Sequence, residues 1–153
     1  MALSVHAWGV AAGLPPDRPA WALELSGMKV SVVIPYYQEQ PGILARALNS
    51  IFAQKLDSNT TLDVVIANDA SPLDPMVDIV AVGEPPAQIA IRVITRSNGG
   101  PAAARNTGFD AVPEDADYVA MLDSDDIWRP DHISRALAGF HQSSADVDRK
   151  SVV

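Results

Sequence analysis

Apolar and polar positions come in blocks along this chain, and the blocks change period. Val30-Ser31-Val32-Val33-Ile34 is β-branched and nearly continuous in apolar character, as a strand buried on both faces should be. Pro35 is expected to end it. Pro41 and Gly42 then open a helix to about Gln54, in which Leu44, Ala47, Leu48, Ile51 and Phe52 form one apolar stripe at helical spacing. Leu62 to Ala67 reads as a second buried strand, Met76 to Val82 as a short and faintly marked helix, and Ile89 to Ile94 as a third strand. Pro101 suits the first position of a helix running to about Phe109. Tyr118 to Leu122 is a fourth strand, and Asp131 to Phe140 a last helix just after Pro130.

The order β-α-β-α-β-α-β-α predicts an α/β fold, a mostly parallel sheet with helices on both faces. Ligands in such sheets bind beyond the carboxyl ends of the strands. Each predicted strand is followed by a polar cluster: Tyr36-Tyr37-Gln38-Glu39, Asn68-Asp69-Ala70-Ser71, Ser97-Asn98-Gly99-Gly100 and Asp123-Ser124-Asp125-Asp126. All four clusters are expected on one rim.

Composition narrows the class. The 153 residues suit one domain, expected over residues 28–142. A hydrophobic share of 48% against 20% charged excludes a disordered chain. Residues 1–27 include the loop-forming stretch Gly13-Leu14-Pro15-Pro16 and read as an extension, either a poorly ordered arm or sequence upstream of a start at Met28. Residues 143–153 read as an irregular tail. A net charge of −8 offers no basic face, so nucleic acid is not an expected partner. An acidic protein that holds a polyanion needs a metal ion or a few local cations. With no cysteine, disulfides and thiolate chemistry are excluded. No apolar run is long enough to span a bilayer, and Met1 to Leu14 lacks the Lys or Arg of a secretory leader.

The rim clusters carry the candidate chemistry. Asp123, Asp125 and Asp126 repel one another unless a cation intervenes, and alternate side chains at a strand end can point together. Asp123 and Asp125 therefore suit a hard cation, Mg²⁺ or Mn²⁺; the plain alternative is a solvated turn with Asp126 capping the next helix. Asp69 suits a base N–H or a ribose hydroxyl, or else an Asx-turn over Asp69-Ala70-Ser71-Pro72. Gly99 and Gly100 allow close backbone approach just before a helix start that attracts phosphate, with Arg105 one turn in; the alternative is a simple connecting loop. Tyr36 and Tyr37 could stack on a base beside Pro35, or pack as ordinary aromatics. Trp128 reads as core or lid packing, and His132 and His141 as surface residues without an evident partner. Neither a G-x-G-x-x-G fingerprint nor a Walker loop is present, and no serine sits in a nucleophile elbow.

Taken together, four segments resemble the family 2 glycosyltransferases of GT-A (Rossmann-like) fold. They are Val30 to Tyr37, Ile66 to Ser71, Asn98-Gly99-Gly100-Pro101-Ala102-Ala103-Ala104-Arg105-Asn106-Thr107-Gly108, and Leu122 to Asp131. Ile34-Pro35-Tyr36-Tyr37-Gln38 followed by Pro41-Gly42-Ile43-Leu44 is similar to bacterial succinoglycan-type exopolysaccharide glucosyltransferases. The resemblance implies that Pro35 and Tyr37 line a base pocket and that Asp69 binds the base, uracil. Asp123, with Ser124 and Asp125, would form the family's DxD and contact ribose, with Asp125 the main ligand of Mn²⁺ or Mg²⁺. Gly99, Gly100 and Arg105 would lie near the donor. It departs from the family's usual residues at Asn68, where Asp is frequent, and at Gln38, where Asn is frequent.

The implied reaction is inverting transfer of a sugar, glucose, from a UDP-sugar to a polysaccharide or lipid-linked acceptor. The implied setting is the cytoplasm or the inner face of the cell membrane, with peripheral membrane association left open. The family's acceptor region and its catalytic base lie beyond the matching segments, so no catalytic base is assigned here. The fold is therefore expected as a truncated, donor-binding half. A nucleotide-binding module without catalysis, an incomplete fragment, and a metal-dependent nucleotidyl or phosphoryl transferase are the competing readings.

Overall fold

The computed structural model describes residues 27–142. The expectations for residues 1–26 and 143–153 fall outside the described residues. The elements are β1 (Lys29–Tyr36), α1 (Ile43–Phe52), β2 (Thr61–Asn68), α2 (Met76–Val82), β3 (Ile89–Thr95), α3 (Pro101–Asp110), β4 (Tyr118–Met121) and α4 (His132–Gln142). The strands form one four-stranded sheet in the order β3-β2-β1-β4, and every pairing is parallel. Lys29 of β1 faces Thr61 of β2, Val30 faces Tyr118 of β4, and Leu62 of β2 faces Ile89 of β3.

Pro35 does not end β1, which runs on to Tyr36 opposite Asn68. The reason lies in strand parity. Tyr36 accepts the Asp69 N–H on the β2 side, whereas Val33 accepts the Leu122 N–H on the β4 side. Pro35 shares the parity of Val33, and the β4 ladder has already stopped at Met121. The N–H that proline lacks is one that no neighbour asks for.

Helices cover both faces, as a parallel sheet requires. On one face Val32, Ile34 and Tyr36 of β1 and Val64 and Ile66 of β2 join Leu44, Leu48 and Ile51 of α1 and Ile133 and Leu137 of α4 in a single core. On the other face α3 packs against β1 and β2. That helix is small-residued for a packing reason. A Cβ placed on Gly108 would collide with the Val33 side chain, so glycine lets the helix lie close to the sheet.

Side-chain ties fix the helix ends that flank the rim. No side chain of its own caps α1. Instead Asp78, buried on α2, accepts the N–H of Gly42 at 2.7 Å and of Ala45 at 3.3 Å, satisfying two otherwise orphan donors. At the far end of α1, Gln54 donates to Ser50 O at 3.0 Å and Arg129 O at 2.7 Å, and accepts the Ile133 N–H at 3.0 Å. The segment leading into α4 is thereby held against α1.

Candidate functional site

The four polar clusters converge on one rim and enclose a cleft of about 430 Å³, within the range of small-ligand pockets. Pro35, Tyr36 and Tyr37 form one wall, Asp69 and Asn98 the back, and Gly100, Pro101, Ala104 and Arg105 the start of α3. Asp123, Ser124 and Asp125 close the far side. Of the residues expected from sequence, Pro35, Tyr37, Asp69, Gly100, Arg105, Asp123, Ser124 and Asp125 line this cleft; Gly99 does not.

The two tyrosines part company. Tyr37 is 49% exposed and free to meet a flat ligand, whereas the Tyr36 side chain is in the core. Successive side chains of a strand point to opposite faces, and β1 reaches Tyr36. Burial pushes the Tyr36 phenol pKa up, and the nearby Asp78 carboxylate adds to the shift.

Asp69 is 2% exposed and both of its carboxylate oxygens are engaged. They accept the N–H of Gly99 at 3.0 and 3.2 Å, the N–H of Gly100 at 2.8 Å and Arg96 Nη1 at 3.1 Å. The N–H groups of Gly99 and Gly100 are thus bonded to Asp69, and one alternative raised by the sequence is corrected. The Asx-type turn after β2 belongs to Asn68, whose Oδ1 accepts the Ser71 N–H at 3.0 Å, rather than to Asp69. Gly99 also makes room for a side chain: a Cβ there would lie 2.6 Å from Arg96 Nη1. Gly100, at φ 86°, adopts a conformation that side chains disfavour. Pro101 has no N–H and the Ala104 N–H is bonded to Gly100 O, so Ala102 and Ala103 supply the donors that the start of α3 offers. Arg96 was missed by sequence reasoning; its one signal is a lone cation directly after β3 and just ahead of the glycine pair.

The acidic cluster is a turn in which the Asp126 N–H bonds Asp123 O at 3.0 Å. Asp126 does not cap α4; that end is served by Gln54. Asp123 pairs with Arg105 at 2.9 Å, both partly exposed, a contact worth little in stability but enough to set orientation. Ser124 turns inward, 6% exposed, and takes a hydrogen bond from Gln38 Nε2 at 2.9 Å. Asp125 is exposed and pairs with no cation among the described residues. No three His, Asp or Glu side chains among the described residues lie close enough to hold a metal ion alone. Asp123 and Asp125 instead fit an ion that takes one or two carboxylates and completes its shell with water and substrate phosphates.

Trp128 does pack, as expected, but its partner is His132: the rings stack with centroids 4.5 Å apart at 18°. His132 thus has a neighbour that sequence did not show, and burial lowers its pKa, opposed by Asp131. The His141 side chain lies outside what the structure describes.

A cleft at the carboxyl ends of β1 and β4, where the strand order reverses, is the ligand-binding crevice of an open α/β domain. Comparison with known proteins narrows the class to one family. Residues 31–148 match the model described as glycosyl transferase family 2, and the chain belongs to that family. It is 49% identical over 118 residues to the succinoglycan biosynthesis protein ExoW of Rhizobium meliloti, covering 77% of this chain and 36% of that protein. It is 34% identical over 116 residues to an uncharacterized glycosyltransferase of Nostoc, covering 76% and 34%. Among solved structures, Staphylococcus aureus TarS (residues 1–349) in complex with UDP-GlcNAc superposes with a TM-score of 0.58 at 26% identity, over 75% of this chain and 32% of that one. The α/β sheet is accordingly of the GT-A type. The chain spans about a third of the length of these two curated relatives.

Proposed function

We propose that this chain is the donor-binding part of a family 2 glycosyltransferase. In this reading it holds UDP-glucose for inverting transfer to a polysaccharide or lipid-linked acceptor, in the cytoplasm or at the inner face of the cell membrane. The observation that carries the reading is the single cleft in which all four strand-end clusters meet. UDP is favoured by the likeness to a UDP-GlcNAc-bound protein, and an exopolysaccharide product by the likeness to ExoW.

The roles follow from position. Tyr37 and Pro35 offer an apolar wall to the base, and Asp69 keeps the floor of that end rigid by holding the Gly99–Gly100 backbone. Arg105 and the first turn of α3 face the diphosphate, where negative charge grows as the sugar departs. Asp125, with Asp123, would hold Mn²⁺ or Mg²⁺, which when bound supplies positive charge against the leaving diphosphate. The acceptor hydroxyl attacks the anomeric carbon from the face opposite the diphosphate and gives its proton to a base outside the cleft residues described here.

A melt with and without UDP and Mn²⁺ tests the reading. Ligand at about 100 times its Kd adds roughly 2.7 kcal/mol, on the order of 5 to 10 °C for a domain this size. The expected shift needs both UDP and Mn²⁺ and is lost in Asp125→Ala. A cooperative melt that neither ligand moves would sink the proposal.

A further inference from the structure

Gln38 ties together three of the four strand ends. Its backbone N–H donates to Ser71 Oγ at 2.8 Å, and Ser71 Oγ donates back to Gln38 O at 2.9 Å. The Leu73 N–H adds a bond to the same carbonyl at 3.1 Å. The Gln38 main chain is thus fixed to the loop after β2. From that fixed point its side chain reaches Ser124 Oγ at 2.9 Å, in the turn after β4. Ser124 sits between the two carboxylates that line the cleft.

The turn from Asp123 to Asp126 therefore has two side-chain anchors. Arg105 holds Asp123 on one side and Gln38 holds Ser124 on the other. With Ser124 drawn inward, its neighbour Asp125 is left exposed and pointed at no cation of the described residues. A second partner of this kind fixes the direction of a ligating group without touching the ligand, and such partners commonly affect metal affinity as ligands themselves do.

We propose that Gln38 is a positioning residue for the donor site, acting through Ser124 to orient Asp125 toward the cation and diphosphate. This rests on the donor-binding reading above. Asparagine, frequent at this position in the family, is one methylene shorter, so from the same clamped backbone its amide extends less far toward Ser124.

The test is calorimetric binding of UDP to the whole chain across a range of Mn²⁺ concentrations. Gln38→Met keeps the size of the side chain and removes the hydrogen bond. It should raise the Mn²⁺ needed for half-maximal UDP binding roughly tenfold, while leaving the weaker UDP binding without metal unchanged. Gln38→Asn should behave alike. Ser124→Ala should show the same loss, and the double variant no more than either single one, because both remove one contact. Metal-free melting of each variant separates loss of fold from loss of orientation.

The proposal is overturned if Gln38→Met binds with the Mn²⁺ dependence of the unaltered chain, or if the Gln38 and Ser124 losses multiply. It is overturned too if UDP binding falls equally with and without Mn²⁺, since that is a general structural effect. Should the unaltered chain show no Mn²⁺-dependent UDP binding, the donor-site reading itself fails and takes this inference with it.

Discussion

Tyr36 is buried up to its hydroxyl, and that oxygen has no partner at hydrogen-bond geometry among the described residues. The nearby Ser71 hydroxyl, which influences the Tyr36 phenol, accepts the Gln38 N–H and donates to Gln38 O. A buried hydroxyl without a partner carries a desolvation penalty that its ring packing must outweigh. Tyr36→Phe keeps the packing and removes the orphan, so it should raise stability by up to about 1 kcal/mol. A rise in melting temperature with unchanged UDP binding is the expected pair of results; lower stability would show that the hydroxyl has a partner after all. At this scale the sequence identified the residue types but not their allegiances. Pro35-Tyr36-Tyr37 marked an aromatic strand end, yet which tyrosine faces the cleft depends on where β1 stops, and that depends on the short reach of β4. Asp69 was legible as a rim carboxylate. Its commitment to the glycine backbone was not, because nothing local places Gly99 and Gly100 beside it.

Among the elements, the three long strands and the amphipathic helices α1 and α4 were legible, since each strand is a largely apolar run interrupted by one polar residue, Ser31, Asp63 or Arg92, and each helix carries an apolar stripe. Two helices were legible only from their ends. Pro101 announces α3, whose inner face of Ala104 and Gly108 is too small to register as a stripe. The short helix α2 was fainter still. Val77 and Val80 stand exposed, and its buried residue is the carboxylate Asp78. What α2 contributes is a cap for a different helix. Asp78→Ala would strip the acceptor from the Gly42 and Ala45 N–H groups and should cost about 1 to 2 kcal/mol, in line with other lost caps. Asp78→Asn, which keeps an oxygen, should cost less. Denaturant titration of both variants checks the order, and equal losses would show that the charge rather than the acceptor matters.

For the whole molecule, acid sensitivity is set in part at the contact between α4 and the segment before it. Burial against Trp128 disfavours the charged imidazole of His132, so its folded pKa lies below the ordinary 6.5. Below that ordinary value the unfolded chain binds more protons than the folded one. This contribution to stability is therefore complete above 6.5 and is lost as pH falls through it toward the lower folded value. His132→Gln should flatten the fall in melting temperature between about pH 7.5 and about pH 5.5. An unchanged slope would place the sensitivity elsewhere. The fold class and the meeting of four clusters on one rim were legible here because strand-end chemistry recurred at every strand. The ties that lock the rim, through Gln38 and Arg96, were not, because each joins positions far apart in the chain.

The strand order also sets a timetable. β4 docks beside β1, and the bond from the Lys29 N–H to Asp117 spans 88 positions. At roughly 5 to 20 residues per second on the ribosome, β1 to β3 emerge seconds ahead of β4. The Tyr37 and Asp69 end of the cleft can form in that interval, while the Asp123–Asp125 turn waits for the last strand. Meanwhile β1, apolar along nearly its whole length, is an uncovered sheet edge open to mispairing. A pause in synthesis just after β3 would leave the nascent chain in its most chaperone-dependent state.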